Sequence, residues 1–210
     1  MKELIMHRTV NILGIAGSLQ HASYNRATLR AARMLVPDDA ELEIFELDDI
    51  PVFNRDEERR PPAKVVELKT RVRAADAILF VTLEYNNSIP SVLKNAIGWA
   101  SRPYEDNVWN GKPVALMGAT IGVPGKAHAQ YFLHQIVDFL NMYPLDQPEV
   151  IIAHAVERFD ADGNLTDDKT KDLIRQLLKN LVKYSKQLQI TKQAPVISLA
   201  SSQMLINSLI

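Results

Sequence analysis

Residues Ala77-Ile78-Leu79-Phe80-Val81-Thr82 form an apolar run that gives way to Leu83-Glu84-Tyr85-Asn86-Asn87-Ser88-Ile89-Pro90 and then to Ser91-Val92-Leu93-Lys94-Asn95-Ala96-Ile97. The run reads as a strand buried on both faces. The stretch from Pro90 to Ser101 places Leu93, Ala96, Ile97 and Ala100 on one helical stripe, so a helix is expected there. Between them stand an aromatic ring, two carboxamides and a hydroxyl, with proline stiffening the helix entry. Those groups suit a flat, polar-edged ring held against the protein.

The same alternation extends in both directions. Strands are expected at Val10–Ala16, Leu42–Leu47, Val114–Ala119 and Val150–Ala153. Helices are expected at Tyr24–Val36, Ala63–Arg73 and Ala127–Met142, with a last one after Thr166, which is read as its cap, and Asp167 and Asp168 in its first turn. Residues 48–62 form a long, charged, proline-bearing loop. Five strands alternating with helices imply an α/β fold with a parallel sheet covered on both faces. Ligands of such sheets lie beyond the carboxyl ends of the strands. Residues 9–189 make one domain, and 190–210 are set apart as a C-terminal extension for which disorder is the default expectation.

Composition narrows the function. The 210 residues are 47% apolar and 23% charged, with a formal net charge of −1. That balance gives no reason to expect nucleic acid or an anionic membrane as a partner. No apolar run approaches the ~20 residues that cross a bilayer. Residues Met1–Arg8 are too short and too charged for a signal peptide, so a cytoplasmic protein is expected. Without cysteine there are no disulfides, thiolate metal sites or cysteine nucleophiles. The five histidines show no ligand spacing with carboxylates, so no metal site is expected. No Gly-x-Ser-x-Gly elbow is present.

Three junctions carry the remaining chemistry. Gly17-Ser18-Leu19-Gln20-His21-Ala22-Ser23-Tyr24-Asn25 joins a strand to a helix, where unpaired amides and the dipole favour an anion. It has neither the lysine of a Walker loop nor the three spaced glycines of a dinucleotide fingerprint. Taken alone, a plain helix cap explains it equally well. For the segment from Glu84 to Pro90, a turn at Asn86-Asn87 with Pro90 opening a helix is the alternative. Gly118-Ala119-Thr120-Ile121-Gly122-Val123-Pro124-Gly125 follows the fourth strand, and its glycines allow a ligand close to the backbone. Coincidence of all three at adjacent strand ends is less probable than any one, and a flavin nucleotide meets their combined demands.

At these residues the chain resembles the NADPH-dependent FMN reductase family of the flavodoxin-like superfamily, which includes quinone, azo-dye and chromate reductases. The motifs are Gly17-Ser18-Leu19 with Ser23 and Asn25, and the run from Glu84-Tyr85-Asn86 through Leu93-Lys94-Asn95-Ala96-Ile97 to Trp99 and Pro103. The resemblance implies a three-layer sandwich on a five-stranded parallel sheet of order 2-1-3-4-5. It implies FMN as cofactor, with Ser18, Gln20, Ser23 and Asn25 at the phosphate. Glu84, Tyr85, Asn86 and Ser88 would line the ring, and Gly118, Thr120 and Gly122 would close its other side. NADPH or NADH would be the hydride donor, and the flavin itself would carry the chemistry, leaving no catalytic side chain to name. A small-molecule electron acceptor (a quinone, azo compound, free flavin or metal oxyanion) and a homodimer or homotetramer follow. Gln20 stands where an arginine is common, Leu83 where a proline is, and Gly98 where an aspartate is. An electron-carrying or redox-sensing flavoprotein with little NAD(P)H turnover is the alternative.

Overall fold

A computed structural model describes residues 8–122 and 128–193. Among them the chain forms β1 (Val10–Ala16), α1 (Tyr24–Met34), β2 (Ala40–Phe45), α2 (Ala63–Ala74), β3 (Ala77–Val81) and α3 (Ser91–Ala100). There follow β4 (Pro113–Ala119), α4 (His128–Phe139), β5 (Tyr143–Pro144), β6 (Val150–Ile152), α5 (Ala155–Arg158) and α6 (Asp168–Gln193). Single 3₁₀ turns at Arg55–Glu57 and Tyr104–Asp106 interrupt the loops after β2 and α3.

The sheet is parallel, in the order β2-β1-β3-β4-β5, and β6 pairs with β4. This is the expected 2-1-3-4-5 order with its fifth position divided. β5 pairs with Pro113 and Val114 at the start of β4, whereas β6 pairs with Met117 to Ala119 at its end. Pro144 and Pro148 have no N–H to give to a ladder, so one continuous strand cannot form there. Tyr143–Pro144 is also too short to leave a periodic signal.

Two cores cover the sheet faces. Leu29 and Ala32 of α1 join Ile174, Leu177, Leu178 and Leu181 of α6 over one face. On the other, Leu68 and Val72 of α2, Leu93, Ala96 and Ile97 of α3, and Leu133 and Val137 of α4 pack together. All five residues of β3 are buried, as the apolar run requires.

Boundaries shift by a few residues. Helix α1 stops at Met34, short of Val36, because a residue before proline is pushed out of the helical region. Strand β2 pairs over Ala40–Phe45 rather than over Leu42–Leu47. Helix α6 is capped by Asp167, whose Oδ2 accepts from Thr170 N at 2.9 Å and from the Thr170 hydroxyl at 2.6 Å. Those bonds, with Arg158 beside them, hold the Asp167 carboxyl below its ordinary pKa. Thr166, expected as the cap, instead donates its hydroxyl to Arg158 O. Helix α6 runs on to Gln193, past the expected domain end at 189. The rest of the expected extension, 194–210, lies outside the described residues, as does 123–127 of the third junction.

Candidate cofactor site

Ala16 pairs with Val81, Val81 with Met117, and Met117 with Val150. The chain segments that follow β1, β3 and β4 therefore leave the sheet side by side at its carboxyl edge. All three junctions singled out in the sequence belong to this edge.

The first loop is anchored where Gly17 N donates to Val81 O at 2.8 Å. Ser18 Oγ then accepts from Gln20 N at 3.3 Å, and Ser23 Oγ accepts from Asn25 N at 3.2 Å as the cap of α1. Each hydroxyl has used a lone pair and keeps its proton to donate. Among the described residues, nothing accepts from the backbone N–H groups of Leu19, His21 or Ala22. Two hydroxyls, open amides and a helix N-terminus make a neutral but strongly donating cup. Gln20 and His21 are exposed at its rim.

Asn25 does something the sequence did not reveal. Its Nδ2 donates to Ala119 O at 3.0 Å and its Oδ1 accepts from Ala119 N at 2.9 Å. With 3% of its surface exposed, it clamps the start of α1 to the end of β4. Both of these bonds go to the scaffold, so Asn25 fixes the spacing between the first and third loops. Gly118 sits beside this clamp. A Cβ there would lie 2.3 Å from the Thr82 carbonyl oxygen, so the ends of β3 and β4 close together only if residue 118 has no side chain.

The second loop folds back on itself. Tyr85 N donates to Ser88 O at 2.9 Å and Ser88 N to Tyr85 O at 2.8 Å. Asn86 and Asn87 between them have φ of 49° and 60°. Positive φ at both central residues defines a type I′ turn, which asparagine tolerates better than most side chains. The turn expected as the alternative at Asn86-Asn87 is present. The turn holds Tyr85 outward at 57% exposure, with Glu84, Asn86 and Ser88 exposed around it. Ile89 and Pro90 are buried behind it and lead into α3.

The motif residues after the turn are occupied with structure. Asn95 accepts from Phe53 N at 2.8 Å and donates to Pro51 O at 2.8 Å, while Trp99 Nε1 donates to the same oxygen at 2.7 Å. The Phe53 ring meets Trp99 edge-on at 4.9 Å. Asn95 and Trp99 thus pin the long loop after β2 against α3, and Trp109 is fully buried against Phe80. In the third loop, Thr120 N donates to Ile152 O at 2.9 Å and Thr120 Oγ1 accepts from Gly122 N at 3.4 Å. Ile121 stands exposed at its tip.

Two contributors carried no recognisable sequence signal. Thr82, at the end of β3, is buried between Gly17 and Gly118. Arg26, one residue beyond the motif, donates from Nη1 to Leu19 O at 3.2 Å. Its Nη2 lies 3.1 Å from Glu46. An arginine on a helix ordinarily reads as surface charge, so only the fold reveals these partners. The carboxyls that the fold makes more acidic, Asp106, Asp160 and Asp167, belong to none of the three loops.

The first loop presents hydrogen-bond donors suited to an anion, and the chain segments leading to the 85–88 turn and the 118–122 loop leave the same sheet edge beside it. Comparison with known proteins identifies the family. The sequence pattern of the family described as NADPH-dependent FMN reductase matches residues 10–157. An NAD(P)H-dependent FMN reductase of Pseudomonas aeruginosa is 46% identical, over 88% of this chain and 100% of that protein. A 2-hydroxy-1,4-benzoquinone reductase of a Burkholderia species is 35% identical, over 80% of this chain and 92% of its own length. The structure of FerB, a flavoenzyme NAD(P)H:(acceptor) oxidoreductase of Paracoccus denitrificans, superposes with a TM-score of 0.76 at 32% identity, covering 85% of this chain and 98% of that one. The doubly hydroxylated cup, the paired-asparagine turn and the glycine contact at β4 accordingly belong to a member of the NADPH-dependent FMN reductase family.

Proposed function

We propose that the 9–189 domain binds FMN at this edge and works as an NAD(P)H oxidoreductase with quinones as principal acceptors, azo compounds, free flavin and metal oxyanions being further candidates. The cofactor would supply the redox chemistry, taking hydride from the nicotinamide and handing electrons to the acceptor. The carrying observation is the pair Ser18 and Ser23. Both hydroxyls are already acceptors for loop amides, and their free protons point the chemistry of the cup toward phosphate oxygens. Gln20 at the rim adds a neutral donor where a cation would add charge.

Other residues have supporting tasks. Glu84, Tyr85, Asn86 and Ser88 would flank the ring and its polar edge, and the turn fixes their directions before any ligand arrives. Gly118, Thr120 and Gly122 would close the opposite side with backbone and a short hydroxyl. Asn25 sets the distance between that opposite side and the phosphate cup. No side chain in the cleft is required as an acid or base.

The same reading assigns the molecule to a homodimer or homotetramer acting in the cytoplasm, where reduced nicotinamides are made. Its support is a face of α4 with Tyr131, Phe132 and Phe139 exposed. A groove of about 550 Å³ separates that face from the turn, lined by Tyr85, Ser88, Ile89, Lys94, Phe132 and Ile136. Apolar rings of this size are seldom left to solvent. Among the described residues, no helix is long and apolar enough to cross a membrane.

Anaerobic turnover tests the function. The purified protein loaded with FMN should lose its visible flavin absorbance on addition of NADPH or NADH and regain it with benzoquinone. Absorbance that neither nicotinamide bleaches would leave an electron carrier in place of a reductase.

A further inference from the structure

We propose that Arg26 is the positioning residue that makes the first loop selective for a phosphorylated flavin over its unphosphorylated form. The proposal rests on the FMN reading above. Leu19 lies in the loop between Ser18 and Ser23, and its carbonyl oxygen would repel an anion placed against it. Arg26 Nη1 holds that oxygen at 3.2 Å. Because C=O and N–H of one peptide point in opposite directions, holding the Leu19 oxygen orients the Gln20 N–H, which donates to Ser18 Oγ. The guanidinium thereby sets the direction of the hydroxyl on which the cup depends.

Its second role is electrostatic. Just outside the loop stand Glu46, 3.1 Å from Arg26 Nη2, and Asp48, 3.8 Å from Nη1. Both carboxylates are nearly half exposed, and Arg26 itself is 14% exposed. Without the guanidinium, two negative charges would face the phosphate from the end of β2 uncompensated. The geometry suits arginine, whose planar fork reaches a carbonyl and two carboxylates together. A lysine offers one charged point and would preserve the charge but only one of the contacts. The isoalloxazine wall is built from the other two loops, so a defect at Arg26 falls on the phosphate and not on the ring.

The test compares FMN with riboflavin, which lacks the phosphate, by fluorescence titration of the full-length apoprotein. Arg26→Met should weaken FMN binding about tenfold, the loss of one charge-assisted contact (about 1.4 kcal/mol), and leave riboflavin within about twofold. Arg26→Lys should recover part of the loss. Added salt should narrow the FMN gap between wild type and Arg26→Met, because screening relieves the exposed carboxylates. Equal losses for FMN and riboflavin, or no loss for either, overturn the assignment of Arg26 while leaving the flavin reading intact. A wild type that binds neither ligand overturns the flavin reading and this inference with it.

Discussion

Replacing Asn25 with alanine separates a scaffold role from a ligand role at one position. The side chain makes two hydrogen bonds to Ala119, at 2.9 and 3.0 Å, and is 3% exposed. Removing it takes away both bonds and leaves the Ala119 N–H and C=O to find new partners at a buried strand end. Two net hydrogen bonds at about 1 kcal/mol each, with a desolvation cost for at least one orphaned group, give roughly 2–4 kcal/mol. For a domain of this size each kcal/mol lowers Tm by about 2–4 °C, so a fall of about 4–16 °C is expected. Thermal unfolding of the apoprotein by circular dichroism measures that fall, and urea unfolding measures the free energy, with an unchanged slope showing that the surface exposed on unfolding is the same. Asn25→Asp should also destabilise, because a carboxylate keeps the bond from Ala119 N but faces Ala119 O without a proton. Apoprotein stability equal to wild type, together with lost FMN affinity, would refute the clamp and make Asn25 a direct ligand.

Other expectations follow from the same geometry. Gly118→Ala forces a Cβ to within 2.3 Å of Thr82 O; overpacking should cost about 1–3 kcal/mol in thermal unfolding and weaken FMN retention in the same variant. Gly98 lies within α3, and a Cβ there meets nothing within 4 Å. Gly98→Ala should therefore raise stability by about 0.5–1 kcal/mol, read as a higher urea midpoint, through helix propensity alone. Asp106 takes hydrogen bonds from Arg73 and from buried Lys69, and these hold its carboxyl below the ordinary value of 3.8. A depressed carboxyl stabilises the fold above its unfolded pKa and loses that contribution as pH falls through the folded one. Asp106→Asn should thus be less stable than wild type at pH 7, and in urea titrations across pH the gap should close below about pH 4.

How much the sequence disclosed depended on the kind of signal. Strand β3 was legible because five consecutive buried apolar residues have few alternatives. The order of the sheet followed from family resemblance, and the junctions followed from their place after strands. The divided fifth position was not legible, since two residues beside prolines carry no periodicity. Within the site, Ser18 and Ser23 could be read as donors because local sequence fixes a helix cap. Asn25 looked identical to them in sequence, yet its partner is Ala119, 94 residues away. Arg26 was invisible for the same reason, since its carboxylates come from the end of a different strand. Asn95 and Trp99 show the reverse case: residues of a specific motif whose side-chain hydrogen bonds hold a loop.

Whether the first loop holds the phosphate of FMN is decided by titrating apoprotein with FMN and comparing wild type with the Ser18→Ala/Ser23→Ala double variant. Wild type should bind one FMN per chain, and the variant should bind it about a hundredfold more weakly, two charge-assisted hydrogen bonds being lost. A wild type that does not take up FMN, or a double variant that binds it as tightly, would contradict a phosphate site in the first loop.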